Sequence, residues 1–144
     1  MLAELLCLVE EHYTGSAASF DEALAAASSW LSGDTTDTHF MLAHKNGAPL
    51  GFAAFATLHP GFAMKGLLFL KELFVADHAR GAGVGRRIMR ELACHCVTQG
   101  LNRMDWTAES NDAVRFYRRL GAEIKTGKSF MRLENEAIAK LARS

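Results

Sequence analysis

Gly81, Gly83 and Gly85 stand between Arg80 and the pair Arg86-Arg87, with Arg90 one turn further on. They follow an apolar run, Leu67–Val75, and a short polar turn, Ala76–Arg80, and they lead into a helical pattern that runs to about Gln99. A strand that feeds glycines into a helix N-terminus presents free backbone N–H groups and the positive end of the helix dipole to one point. An anion belongs there. Four arginines in the same first turns oppose the dipole, which makes sense if a polyanion such as a pyrophosphate with a further phosphate lies among them. The simpler alternative is a solvated basic helix face whose glycines only shape a turn.

Spacing narrows the ligand. A nucleoside-triphosphate loop needs Lys-Ser/Thr after its last glycine, and Arg86-Arg87 follow Gly85 instead. The dinucleotide fingerprint G-x-G-x-x-G also fails, because Arg86 or Ile88 falls at its third glycine. Asp105 lies at roughly the distance of a ribose contact, but it does not restore the pattern.

Arg80-x-x-Gly83-x-Gly85 after a strand ending Leu73-Phe74-Val75 resembles the coenzyme A pyrophosphate loop of the GNAT superfamily of N-acetyltransferases. A second block, Asn111-Asp112-Ala113-Val114-Arg115-Phe116-Tyr117-Arg118-Arg119-Leu120-Gly121-Ala122, looks like the family's N-x-x-A-x-x-F-Y-x-x-L-G-F motif. It has one residue fewer between Asn and Phe, and Ala122 at the usual aromatic. The resemblance covers about residues 40–133. It implies a mixed α/β fold, with a mostly antiparallel sheet splayed around the coenzyme and flanked by helices. It also implies acetyl-CoA as co-substrate, with no metal.

The resemblance further implies roles. The amides of Arg80, Gly81, Ala82, Gly83, Val84, Gly85 and Arg86 hold the pyrophosphate, with the nearby arginine side chains free to reach phosphate. The backbone of Leu73, Phe74 and Val75 pairs with the pantetheine arm, and the amide near Phe74 or Val75 polarises the thioester carbonyl. Asn111 matches a residue that often contacts the coenzyme arm; its alternative is plain helix capping. Tyr117 matches the usual general acid, which returns a proton to the sulfur; its alternative is a tyrosine packed beside Phe116.

Acetyl transfer to an amine also needs a base. In the branch that acetylates diamines and polyamines, the strand before the loop commonly carries two adjacent acids. Here Lys71 holds the first of those positions and Glu72 the second. Met104-Asp105-Trp106 and the closing Arg132-Leu133-Glu134-Asn135-Glu136-Ala137 otherwise look like that branch, but a cation where a polycation would approach weakens the polyamine reading. Glu72 serves as base directly or through water, or it is a surface glutamate paired with Lys71 or Arg103. His59, in the loop before the strand, is the second candidate.

These groups need elements to position them. Leu2–Tyr13 has the apolar period of a helix, and a second helix runs from Ser19 or Phe20 to before Gly33. Ser32–Thr38 reads as a polar loop. Phe40–Ala43, the turn Asn46-Gly47 and Leu50–Leu58 read as a hairpin, followed by the loop His59–Gly66. Gly100 ends the long helix, and Arg103–Ala108 reads as a strand. Ser110 or Asn111 caps a helix that Gly121 stops. Strands at Ala122–Thr126 and Ser129–Leu133 and a short helix at Glu134–Ala142 complete the expectation. The family usually has a strand before its first helix. Without it, Phe40–Ala43 lies at the sheet edge, where a homodimer partner or other cover is expected; a start site further upstream is the alternative.

The 144 residues suit one domain with a single core. The chain is 49% hydrophobic and 22% charged, an ordinary globular composition. Sixteen basic and sixteen acidic residues balance, which argues against a nucleic-acid surface. Lys65, Lys71 and Glu72 interrupt the longest apolar run, so no membrane span or leader is read, and the default is a cytoplasmic protein. Cys7, Cys94 and Cys96 read as reduced packing residues. The expectation is therefore an N-acetyltransferase that moves acetyl to a primary amine of a small molecule by direct attack in a ternary complex. Peptide acetylation and a non-catalytic acyl-CoA-binding module are the alternatives.

Overall fold

A computed structural model describes residues 1–33 and 37–143, so residues 34–36 of the expected Ser32–Thr38 loop lie outside the described residues. The contacts divide the chain into two units, Met1–Thr107 and Ala108–Ser144.

The first unit opens with helices α1 (Leu2–Thr14) and α2 (Phe20–Leu31). Gly15, in the left-handed region at φ 75°, ends α1 and donates its N–H to Glu11 O. Ser19 starts α2 through a capping box: its Oγ accepts the Glu22 N–H at 3.2 Å, and Glu22 Oε2 accepts the Ser19 N–H at 3.3 Å. Strands β1 (His39–Lys45) and β2 (Ala48–Leu58) follow, joined through Asn46 and Gly47. Both turn residues have positive φ, the condition for a tight hairpin whose twist matches its strands. After a 3-10 turn at Phe62–Met64 come β3 (Leu67–Val75), a second 3-10 turn (Asp77–Ala79), α3 (Val84–Thr98) and β4 (Met104–Asp105).

The sheet order is β1-β2-β3-β4, antiparallel except for the parallel β3/β4 pair. The mostly antiparallel mixed sheet is the one expected, with β1 at one edge. Its faces are dressed separately. Phe52, Ala54, Phe74 and Ala76 pack with Leu2, Ala3, Leu5, Ala23 and Ala27 of α1 and α2. Ile88, Met89, Leu92 and Cys96 are the buried residues of α3, whose His95 ring lies 5.4 Å from Phe55. Full burial of a leucine such as Leu92 or Leu68 stabilises the fold by about 1.5–3 kcal/mol.

One irregularity in β3 shapes everything that follows. Ala54 pairs with Glu72 and Phe55 with Leu70, which leaves Lys71 as an extra residue, a β-bulge. Before it, the Leu68 N–H donates to Arg103 O, and β3 pairs with β4 at Leu68–Met104 and Phe69–Asp105. The bulge then shifts the strand's parity, and the parallel ladder stops. The strand expected over Arg103–Ala108 is therefore only Met104–Asp105.

In the second unit, α4 (Asn111–Arg118) is capped by Ser110, whose Oγ accepts the Ala113 N–H at 3.1 Å, and α5 spans Glu136–Ala142. The strands expected at Ala122–Thr126 and Ser129–Leu133 do not form among the described residues. A strand needs a ladder and a buried face. Phe130, Met131 and Leu133 are instead 68%, 84% and 55% exposed, so propensity alone misled there.

Candidate functional site

The glycine loop takes the conformation its sequence demands. Gly81 and Gly83 have φ of 76° and 79°, in the left-handed region, and a Cβ at either would meet nothing within 4 Å. Gly83 is the N-cap of α3 and offers no side-chain cap, and its carbonyl accepts the first helical bond, from the Arg87 N–H. Gly85 lies within the first turn of α3 rather than in the loop. The amides of Val84, Gly85 and Arg86 thus have no intrahelical acceptor, no acid stands in that turn, and the loop leading to it is open. This cradle fits a phosphate group by backbone donors and dipole.

The four arginines divide into two pairs. Arg80 Nε donates to Val75 O at 3.2 Å, and Arg80 Nη2 lies 2.9 Å from Asp77 Oδ1. Arg90 Nη2 lies 2.9 Å from Glu91 Oε1, and that hydrogen bond raises the arginine's pKa further. Arg86 and Arg87 are exposed, and of the four arginines expected near the phosphates they are the two whose side chains have no hydrogen-bond or ion-pair partner among the described residues.

The same end of β3 has an edge that pairs with no further strand among the described residues. The Ala76 N–H donates to Leu50 O, so by the alternation of an antiparallel ladder the polar groups of Phe74 and Glu72 turn toward β2. Those of Leu73 and Val75 turn the other way, where β4 has already ended. Between the two amides expected near the thioester, this parity favours Val75 over Phe74. The Phe74 side chain is buried, 6% exposed, in the α1/α2 face.

Glu72 is half-buried on that face. Its Oε1 accepts a hydrogen bond from the Tyr13 phenol at 3.0 Å. Neither anticipated surface partner holds it, since Arg103 Nε is 3.0 Å from Asp105 Oδ2. Sequence reading missed Tyr13: 59 residues separate it from Glu72, and no local spacing signals the pair. His59 sits elsewhere. Its Nε2 lies 2.6 Å from where a Gly66 Cβ would be, so the imidazole packs over Gly66, before β3 begins. Eight strand steps, about 26 Å, separate Leu67 from Val75, whereas Glu72 is three steps from it. The glycine loop therefore has Glu72, and not His59, near its end of the strand.

In the second unit, Asn111 is exposed and Ser110 does the capping, so capping does not account for Asn111. Asp112 pairs with Arg115 one turn on. Tyr117 is half-buried, and its ring meets Phe116 edge-on with centroids 5.0 Å apart. Burial pushes the Cys96 thiol pKa up, which suits a packing residue and not a nucleophile. Among the described residues no three His, Cys, Asp or Glu side chains gather as a metal site would need, and no helix is long and apolar enough to cross a membrane.

Residues 4–122 match the family model for the Acetyltransferase (GNAT) family. The chain belongs to that family. GNAT members use acetyl-CoA as co-substrate, and a coenzyme pyrophosphate suits the uncapped α3 N-terminus described above. Among solved structures, an integron cassette protein from the mobile metagenome of V. cholerae superimposes with a TM-score of 0.94 at 32% identity, over 99% of this chain and 90% of that one. A ribosomal-protein-alanine N-acetyltransferase from Brucella melitensis biovar Abortus 2308 shares the fold, with a TM-score of 0.71 at 15% identity over 91% and 93% of the two chains. L-ornithine N5-acetyltransferase NATA1 of Arabidopsis thaliana is 26% identical over 90 residues, which is 61% of this GNAT chain and 40% of that protein. The chain thus aligns with about two fifths of that curated relative.

Proposed function

We propose that the chain, acting as one domain over residues 1–144, is an acetyl-CoA-dependent N-acetyltransferase whose acceptor is a primary amine of a small molecule. The observation that carries this reading is the uncapped start of α3 behind Gly81 and Gly83, next to the unpaired edge of β3 at Leu73 and Val75. Together they offer one end for a pyrophosphate and one strand edge for an extended amide-bearing arm.

In this reading the amides of Gly81 to Arg86 and the side chains of Arg86 and Arg87 hold the phosphates, Leu73 pairs with the pantetheine arm, and the Val75 N–H polarises the thioester carbonyl. Glu72, directly or through one water, takes the proton that the amine loses as its nitrogen bonds the carbonyl carbon. Tyr117 gives a proton to the sulfur as the carbon–sulfur bond breaks, and Asn111 contacts the coenzyme arm. The amine and the thioester react in one ternary complex, since no cysteine serves as an acyl carrier.

A small amine is preferred because the curated relative is named for ornithine. Lys71, exposed beside Glu72, favours an acceptor with few cations besides the attacking amine, or one bearing a carboxylate, over a long polyamine. The test is thiol release from acetyl-CoA with L-ornithine, a linear diamine, spermidine and a short peptide as acceptors. Turnover strongest with the amino acid or diamine is expected. Turnover with the peptide alone moves the assignment to protein acetylation, and binding of acetyl-CoA without any turnover leaves a binding module.

A further inference from the structure

We propose that Tyr13, at the end of α1, is a positioning residue for the general base Glu72; the inference rests on the reading of Glu72 given above. A chain of contacts at the end of α1 carries it. Gly15 stops α1 in the left-handed conformation, and the Thr14 hydroxyl donates to Glu10 O at 2.9 Å, which fixes the helix end. The His12 ring meets Tyr13 edge-on at 5.3 Å and the buried Phe74 at 6.2 Å. Phe74 lies two residues from Glu72 and so on the same face of β3. This chain of contacts delivers the Tyr13 phenol to Glu72 Oε1 at 3.0 Å.

The bond does little for the core, because Tyr13 is 58% exposed. Its effect falls on Glu72. A glutamate on a strand surface samples several rotamers, and a phenol anchored through α1 selects one of them. Oε2 has no hydrogen-bond or ion-pair partner among the described residues and stays available for the proton. The bond formed and broken in the reaction is unchanged; Tyr13 acts only through where it holds the carboxylate. It also ties the base to α1, so a movement of that helix would move the base.

The test is a double-mutant cycle on the full chain, read by steady-state thiol release with acetyl-CoA and the best acceptor among L-ornithine, a linear diamine and a short peptide. Glu72→Gln is expected to lower kcat by about a hundredfold or more. Tyr13→Phe, which removes one exposed oxygen, is expected to lower kcat by about tenfold, with KM for acetyl-CoA unchanged and the melting temperature held. In the Glu72→Gln background, Tyr13→Phe is expected to change kcat by less than about twofold. A Tyr13→Phe enzyme as fast as wild type, beside a slow Glu72→Gln enzyme, overturns the proposal and leaves the base. A tenfold loss that persists in the Glu72→Gln background also overturns it. A Glu72→Gln enzyme of wild-type rate, or no turnover with any acceptor, sinks both the positioning role and the base.

Discussion

The Val75 carbonyl oxygen accepts a hydrogen bond from Arg80 Nε, and the same guanidinium pairs with Asp77. One side chain thereby braces the last residue of β3 against the first residue of the glycine loop. Arg80 and Asp77 are both well exposed, so the ion pair itself adds little stability. Its consequence is geometric: it sets the angle at which the chain leaves the strand for α3.

Arg80→Met should therefore leave the melting temperature within a few degrees of wild type and weaken acetyl-CoA binding by about tenfold, as a misplaced binding group does. Arg86→Met should weaken binding too, but by loss of charge. Calorimetric titration at two salt concentrations separates the roles. The Arg86→Met deficit should shrink as salt rises, and the Arg80→Met deficit should not.

Gly83→Ala meets no obstacle in space, yet it must place an alanine at φ 79°. That conformation costs an L-residue about 1–2 kcal/mol. Urea unfolding should report that loss, and acetyl-CoA should stabilise the variant less than it does wild type. An alanine variant with wild-type stability and binding would show that the loop does not need its left-handed turn.

Gly51→Ala probes the strand pair from the other side. A Cβ at Gly51 would sit 2.4 Å from the Phe74 carbonyl oxygen, and backbone cannot yield as a side chain can. Forced separation of β2 from β3 should cost roughly 1–3 kcal/mol and disturb the Leu73–Val75 edge. Gly47→Ala, strained in φ but with nothing within 4 Å of its Cβ, is the control. It should lose stability while keeping acetyl-CoA affinity.

The thiols give a chemical check. Cys94 is exposed and Cys96 buried, with its pKa raised by that burial. A maleimide should label Cys94 in the native protein and reach Cys96 only on unfolding. Rapid native labelling of Cys96 would mean that α3 does not pack as described. On unfolding, Cys96 should react as an ordinary thiol, because the burial that raises its pKa is lost.

The parts of the fold legible in the sequence are those with local causes. Leu67–Val75 and the helix after Gly83 announce themselves by apolar period and glycine spacing, and the start of α2 is read at Ser19 or Phe20. Asn46-Gly47 marks the hairpin for the same reason. What eluded the sequence is set by distant or cooperative contacts. Lys71 is a bulge only because of how β2 pairs, and that parity, not composition, turns the Val75 amide away from β2 and the Phe74 amide toward it. Nor does spacing show that Arg80 meets Val75 and Asp77, or that Arg90 meets Glu91. Ser129–Leu133 has a strand's residues but pairs with no strand among the described residues. Tyr13 gains meaning only once α1 packs against the sheet.

The most direct measurement is thermal unfolding of the full chain with acetyl-CoA, free CoA, ATP and NAD at equal concentrations. A ligand at about 100 times its Kd stabilises the folded state by roughly 2.7 kcal/mol, a shift of several degrees for a chain of this size. Acetyl-CoA and CoA are expected to raise the transition, and ATP and NAD are not. A transition that neither CoA species moves would contradict this expectation.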